Sequence, residues 1–211
     1  MRLSYSSLNS IHQGHEWLNK QMGIQVPRYP FLDQGKDAHR IIQRHVSGIE
    51  KDPRLSHIEC EFPIVEEVDF DKRCQFQFNV SGGYTIFGYV DGKDQANMRL
   101  LEIKTADKPW SLLKFEKSMQ RKLYALAHPM YEEAYLITGN KQVEKWGSEP
   151  LKLYSLSLTE RDRLDAQAWI AKGIAILESG EFTGGLDENG RCTGCFYNMP
   201  GYRDIATCYY L

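Results

Sequence analysis

Gly88-Tyr89-Val90-Asp91, then ten residues, then Glu102-Ile103-Lys104: this stretch decides the reading of the chain. On a strand, residues two apart share a face. Glu102 and Lys104 therefore point one way, while Leu101, Ile103 and Thr105 point the other, with a core behind and a site in front. Asp91 closes the preceding strand, and its carboxylate comes within reach of the one on Glu102. Two acid oxygens and a backbone carbonyl form a hard, oxygen-rich set that suits Mg²⁺ or Mn²⁺. A lysine beside such a set orients a metal-bound water or stabilises charge growing on a phosphate. An acid-x-Lys triplet arises by chance about once in a chain of this length. Alone it is a solvated strand face. Its weight here comes from the apolar strand around it, the aspartate before it and the helix after it.

Working outward, Phe62 to Phe70, Gln75 to Val80, Tyr84 to Val90 and Met98 to Thr105 read as four short strands rich in β-branched and aromatic residues. Ser81-Gly82-Gly83 and residues 92–97 are turns, so the last two strands are expected to pair antiparallel. Before them, Ser4 to Met22 and Asp33 to Ser47 read as helices. Ala38, Ile41, Ile42 and Val46 line the second, and Asp33 is its expected cap. Residues 23–30 read as a loop. After them, one helix is expected over Trp110 to Ala127, with Leu112, Phe115, Met119, Leu123 and Leu126 inward. Glu133 to Thr138 and Leu151 to Leu158 read as strands. Thr159 with Asp162 forms a capping box for a helix ending near Ser179. The order implies an α/β fold of α+β mixed type, a central mixed sheet flanked by helices.

The chain has 211 residues, with 26 Lys+Arg against 28 Asp+Glu and a net charge of -2. This balance argues against a histone-like blanket on nucleic acid but leaves room for a local basic lane. No run reaches the roughly 18 apolar residues of a membrane span, and Met1 to Ser7 has no apolar signal core. The expectation is a cytoplasmic protein with reduced thiols.

Asp91…Glu102-Ile103-Lys104 resembles the core motif of the PD-(D/E)XK nuclease superfamily, and the chain resembles its RecB-like exonuclease branch, CRISPR-associated members included. Gly35-Lys36-Asp37-Ala38-His39 matches that branch's Gly-x-x-x-His element, and Gln120-Arg121-Lys122-Leu123-Tyr124 its Gln-x-x-x-Tyr element. Leu3-Ser4-Tyr5-Ser6-Ser7-Leu8 resembles its Ser-rich first helix. The resemblance covers residues 3–127. It implies a restriction-endonuclease-like core over residues 1–180, with the Cys-bearing tail 181–211 packed on it. It also implies that Asp91, Glu102, the Ile103 carbonyl and His39 hold Mg²⁺ or Mn²⁺, that Lys104 positions the attacking water, and that Gln120 and Tyr124 hold the substrate strand. Four residues apart, Gln120 and Tyr124 share a helix face; the plainer reading of Tyr124 is a half-buried ring with a satisfied hydroxyl. His45, His57 and His128 read as structural. Lys36, Arg40, Lys114, Lys117, Arg121 and Lys122 offer a phosphate-binding lane on two helices.

Cys192, Cys195 and Cys208 lie in the last twenty residues. Part of the RecB-like branch holds a [4Fe–4S] cluster with three late cysteines and one in the first helix. Here no cysteine precedes Cys60, and His12 or His15 stands near the place of the first ligand. Three thiolates and a histidine suit Zn²⁺; an Fe–S cluster and free thiols remain open. The function expected is a metal-dependent deoxyribonuclease, an exonuclease acting on DNA ends or single strands. The alternative is a DNA-binding subunit of a larger complex with gated cleavage. No membrane partner is expected, and a homo-oligomer is compatible with the resemblance.

Overall fold

The computed structural model describes residues 1–13, 17, 21, 30–62 and 74–181, with 30–33 described by backbone alone. The loop at 23–29, most of the strand expected over 62–70 and the tail from 182 onward lie outside the described residues. The chain divides into two units. One is Tyr29–Ala166, and the other combines Met1–Arg28 with Gln167–Leu211. No helix among the described residues is long and apolar enough to cross a membrane.

The larger unit is built on a four-stranded mixed sheet of order β4-β5-β6-β7, with β4 Gly92–Asp94, β5 Arg99–Ala106, β6 Glu133–Asn140 and β7 Lys152–Ser157. β5 and β6 run parallel, Glu102 opposite Leu136 and Lys104 opposite Thr138; the two outer pairs are antiparallel. A parallel pair needs a crossover connection. It is supplied by two helices, α3 Leu112–Glu116 and α4 Met119–Ala127.

Helix α2, Pro30–Val46, begins three residues before the expected start. Proline suits a first helical turn, because its missing N–H would have no partner there. Asp33 thus lies inside the helix and is not its cap. Ala38, Ile42 and Val46 are fully buried, in one core with Leu101 and Ile103 of β5, Ile137 of β6, Trp146 and Leu151. Alternation on β5 thus sends Leu101 and Ile103 to the α2 side, as the sequence predicts.

The expected pairing of 84–90 with 98–105 does not occur. β3, Tyr84–Tyr89, pairs instead with β2, Gln75–Val80, through a turn in which Gly82 and Gly83 both have φ of 74°. That left-handed backbone is cheap only for glycine. The chain changes sheets at the next two residues. Val90 N–H donates to Cys74 O at 3.0 Å, and Asp91 N–H donates to Leu101 O at 3.0 Å. The partner of β5 is then the three-residue β4, with Gly92 opposite Leu101.

The single helix expected over 110–127 is broken at Lys117–Ser118. Ser111 caps α3 by accepting Lys114 N–H at 3.2 Å. Ser118 is extended, and its N–H bonds Phe115 O at 3.0 Å, closing a tight last turn. The break turns Leu112, 40% exposed, away from the core, while Phe115 and Leu123 stay buried. The Thr159–Asp162 capping box forms as read: Asp162 Oδ2 accepts Thr159 N–H at 3.0 Å, Thr159 Oγ1 accepts Asp162 N–H at 3.2 Å, and α5 runs Glu160–Ser179.

In the smaller unit, β1 Arg2–Ser4 leads into α1 Tyr5–His12, capped by Ser4 Oγ accepting Ser7 N–H at 3.1 Å. His12 stacks on Trp169 at 4.9 Å, and its Nε2 lies 2.9 Å from the Trp169 carbonyl.

Candidate active site

Where β3 leaves and β4 joins, the edge of β5 has no strand partner beyond Leu101 among the described residues, and the Asp91 side chain fills that place. Its Oδ2 accepts the Ile103 N–H at 2.7 Å. A strand residue's N–H and C=O leave on the same edge, so the Ile103 carbonyl faces the Asp91 side. Asp91 Oδ1 meets His39 Nε2 at 3.4 Å. His39 is held there by α2, which is tied to β5 where Thr105 Oγ1 donates to Gly35 O at 3.1 Å.

Glu102 lies on the opposite face of β5 from Ile103 and is 3% exposed. Its Oε1 pairs with Lys104 Nζ. Its Oε2 accepts the Tyr124 hydroxyl and Gln120 Nε2, the latter at 3.1 Å. Gln120 Nε2 also lies 2.6 Å from the Tyr124 hydroxyl oxygen, which in turn is 3.2 Å from the Tyr89 carbonyl. The two groups four apart on α4 thus converge on Glu102. Gln120 and Tyr124 share one face of α4, as the sequence predicts. Tyr124 is 2% exposed, packed edge-on against Phe76, and its hydroxyl is spent on Glu102. There it orients that carboxylate.

The charges follow from this burial. Burial pushes the Asp91 carboxyl up, but His39, Lys104 and the Ile103 N–H outweigh it and hold Asp91 below the usual range. For Glu102 burial wins, with the Asp91 charge adding to it against Lys104 and Tyr124, and its pKa is raised. Burial lowers His39, yet the Asp91 and Glu102 charges leave its pKa raised. Burial and the same two carboxylates push Tyr124 well up, so it remains a neutral donor.

Among the described residues, no three His, Cys, Asp or Glu side chains form a ready metal-binding group. The donor chemistry still fits a hard divalent cation: the buried Glu102 carboxylate, the half-buried Asp91 carboxylate, a carbonyl on the same edge and an imidazole. Each carboxylate already has a partner, Asp91 the His39 imidazole and Glu102 the Lys104 ammonium. Cation entry at Glu102 requires Lys104 to give up Oε1.

The basic lane is thinner than the sequence predicts. Arg121 is buried in a bidentate pair with Asp162 and also donates to Ser157 O and Glu116 O. Lys122 pairs with Asp165 at 2.7 Å and Arg40 with Asp37 at 3.6 Å. Lys114 and Lys117 remain exposed. His45 accepts the Asp52 N–H at 3.0 Å, His57 Nε2 meets Leu151 O at 3.0 Å, and His128 is buried, all structural positions. Cys192, Cys195, Cys208 and His15 lie outside the described residues. Trp110, which no motif marks, joins the site: its ring centre lies 5.6 Å from Lys104 Nζ and 4.4 Å from Lys114 Nζ. The only signal for it was an aromatic residue between lysines.

No protein-family model and no curated protein matches the sequence. Solved structures do. One is SSO0001, with a TM-score of 0.54 at 15% identity over 98% of this chain and 86% of that one. Another is a Eubacterium rectale protein named "Putative exonuclease", with a TM-score of 0.52 at 11% identity over 94% of this chain and 88% of that one. At such identity the likeness is one of fold. This chain has a mixed α/β fold with helices flanking its sheets, shared with that exonuclease-named protein.

Proposed function

We propose that this chain is a metal-dependent nuclease of the PD-(D/E)XK, RecB-like kind, hydrolysing DNA at ends or in single strands. The observation that carries the reading is the convergence of His39, Asp91, Glu102 and Lys104 about one edge of β5, with the Asp91 carboxylate seated on the Ile103 N–H. Asp91, Glu102, the Ile103 carbonyl and His39 would hold Mg²⁺ or Mn²⁺. When bound, the cation would lower the pKa of an attacking water and draw charge from the phosphodiester. The chain's own groups do the rest. Asp91 is held ionised and fixed by Ile103. Tyr124 and Gln120 orient Glu102 from behind. Lys104, released from Glu102, places its ammonium against the phosphate oxygens, where negative charge builds during in-line attack. No covalent enzyme intermediate is needed.

One observation favours a second reading, a DNA-binding subunit with gated cleavage. Both Glu102 oxygens are engaged by side chains of the protein, so a partner or substrate that draws Lys104 away would switch the site on. The test is cleavage of linear and circular single- and double-stranded DNA with Mg²⁺, Mn²⁺ or EDTA, comparing the protein with Lys104→Ala. Metal-dependent cleavage lost in the variant is expected. No cleavage with either metal by the folded protein would overturn the stand-alone nuclease and leave the gated subunit.

A further inference from the structure

We propose that Trp110 is a platform on which an unpaired nucleobase of the substrate stacks, with Lys114 taking the adjoining phosphate. This rests on the nuclease reading above and deepens it, naming a single-stranded segment as what lies beside Lys104.

The loop that follows β5 is fixed at the site. Trp110 N–H donates to Thr138 Oγ1 at 2.8 Å, and Thr138 is the β6 residue directly opposite Lys104 in the parallel register. An anchor on the neighbouring strand thus sets the distance from Trp110 to Lys104. The indole is half-buried. The ammonium groups of Lys104 and Lys114 lie 5.6 and 4.4 Å from its centre. A nucleotide supplies a better partner to each member of this trio. The base offers a π-face to the indole, and the phosphate draws the ammonium that now rests on the ring.

The surroundings select the same occupant. Residues 108–117 carry Lys108, Lys114 and Lys117 against a single acid, Glu116. The nearby Asp107 is paired with Lys141 at 2.8 Å, so its charge is offset. Beyond the tryptophan, Leu112 and Leu113 are 40% and 56% exposed, apolar surface along which further bases can lie. An aromatic platform among lysines is the arrangement that tracks single strands without reading sequence. Bases inside a duplex are already stacked on their neighbours and do not offer a free face.

The test uses the full chain in EDTA. It measures the binding of a short fluorescein-labelled single strand and of the matching blunt duplex by anisotropy. Trp110→Ala is expected to weaken single-strand binding about tenfold, a typical cost for one lost base stack. Trp110→Phe should retain most of it, and duplex binding should change little in either. Strands carrying one abasic position, moved along the sequence, should lose about the same factor at one position with the wild type and nothing there with Trp110→Ala. A variant that melts like the wild type and binds the single strand equally well would overturn the proposal. So would equal losses on single strand and duplex, or no single-strand binding by the wild type. If Trp110→Ala fails to fold, Trp110→Leu keeps the bulk without the ring and is read in the same way. Cleavage by the wild type with Mn²⁺ is scored separately. Absence of cleavage with the Trp110-dependent affinity intact would remove the nuclease reading and support the platform.

Discussion

Asp91 Oδ2 takes the N–H of Ile103 at 2.7 Å, at the point where β4 stops covering the edge of β5. One carboxylate oxygen therefore serves the sheet, and the other faces His39. Asp91→Asn retains an oxygen acceptor for Ile103 and should fold with a stability change of about 1 kcal/mol or less. Its cleavage rate should fall at least about 100-fold, because a neutral amide is a poor ligand for a hard cation. Urea unfolding and initial cleavage rates measure the two effects on one sample. Equal loss of both would mean that Asp91 is only a structural plug.

Tyr124→Phe removes a buried hydroxyl that donates to Glu102. A hydrogen bond to a charged group of this kind contributes about 1.5–3 kcal/mol, and unfolding should show a loss in that range. Cleavage should slow through kcat, while affinity for the DNA strand stays unchanged. An affinity loss would show that the hydroxyl reaches the substrate.

Arg121 and Asp162 form a buried bidentate pair joining α4 to the start of α5, and Asp162 is also the capping-box acid of that helix. Burial opposes ionisation of Asp162, but the Thr159 and Arg121 hydrogen bonds outweigh it, and its pKa is lowered. Asp162→Ala leaves Arg121 charged and buried, at a cost of about 3–5 kcal/mol. The midpoint of chemical unfolding measures it.

His128 is buried against the rings of Phe76 and Tyr131, and burial depresses its pKa to about 4. Its folded pKa lies below its unfolded value of about 6.5, so the unfolded chain binds the proton first. The stability it contributes is full above pH 6.5 and is lost as pH falls towards 4, by about 2–3 kcal/mol. His128→Phe should flatten that part of the pH–stability curve. An unchanged slope would assign the loss to other groups.

Strand alternation alone puts Glu102 and Lys104 on one face and Leu101 and Ile103 on the other, and the structure keeps that division. The nearness of Asp91 to this strand was also legible, although the strand pairing that suggested it was not the one that forms. Turn composition marks where a chain reverses, but it does not say that Val90 and Asp91 change sheets. The break at Ser118 was hidden because 110–127 holds a helical apolar period on both sides of it. Arg121 and Tyr124 share their helix with the half-buried Lys122. Their burial depends on Asp162 and Phe76, partners far along the chain, and local spacing carries no trace of such partners.

In the proposed nuclease, Asp91, Glu102 and His39 share one divalent-cation site. Calorimetric titration of Mn²⁺ into the protein, into Asp91→Asn and into Glu102→Gln tests it most directly. Saturable binding by the wild type that is lost in both variants, with folding intact, is the expected result. Equal binding by all three proteins, or none by the wild type, would contradict it.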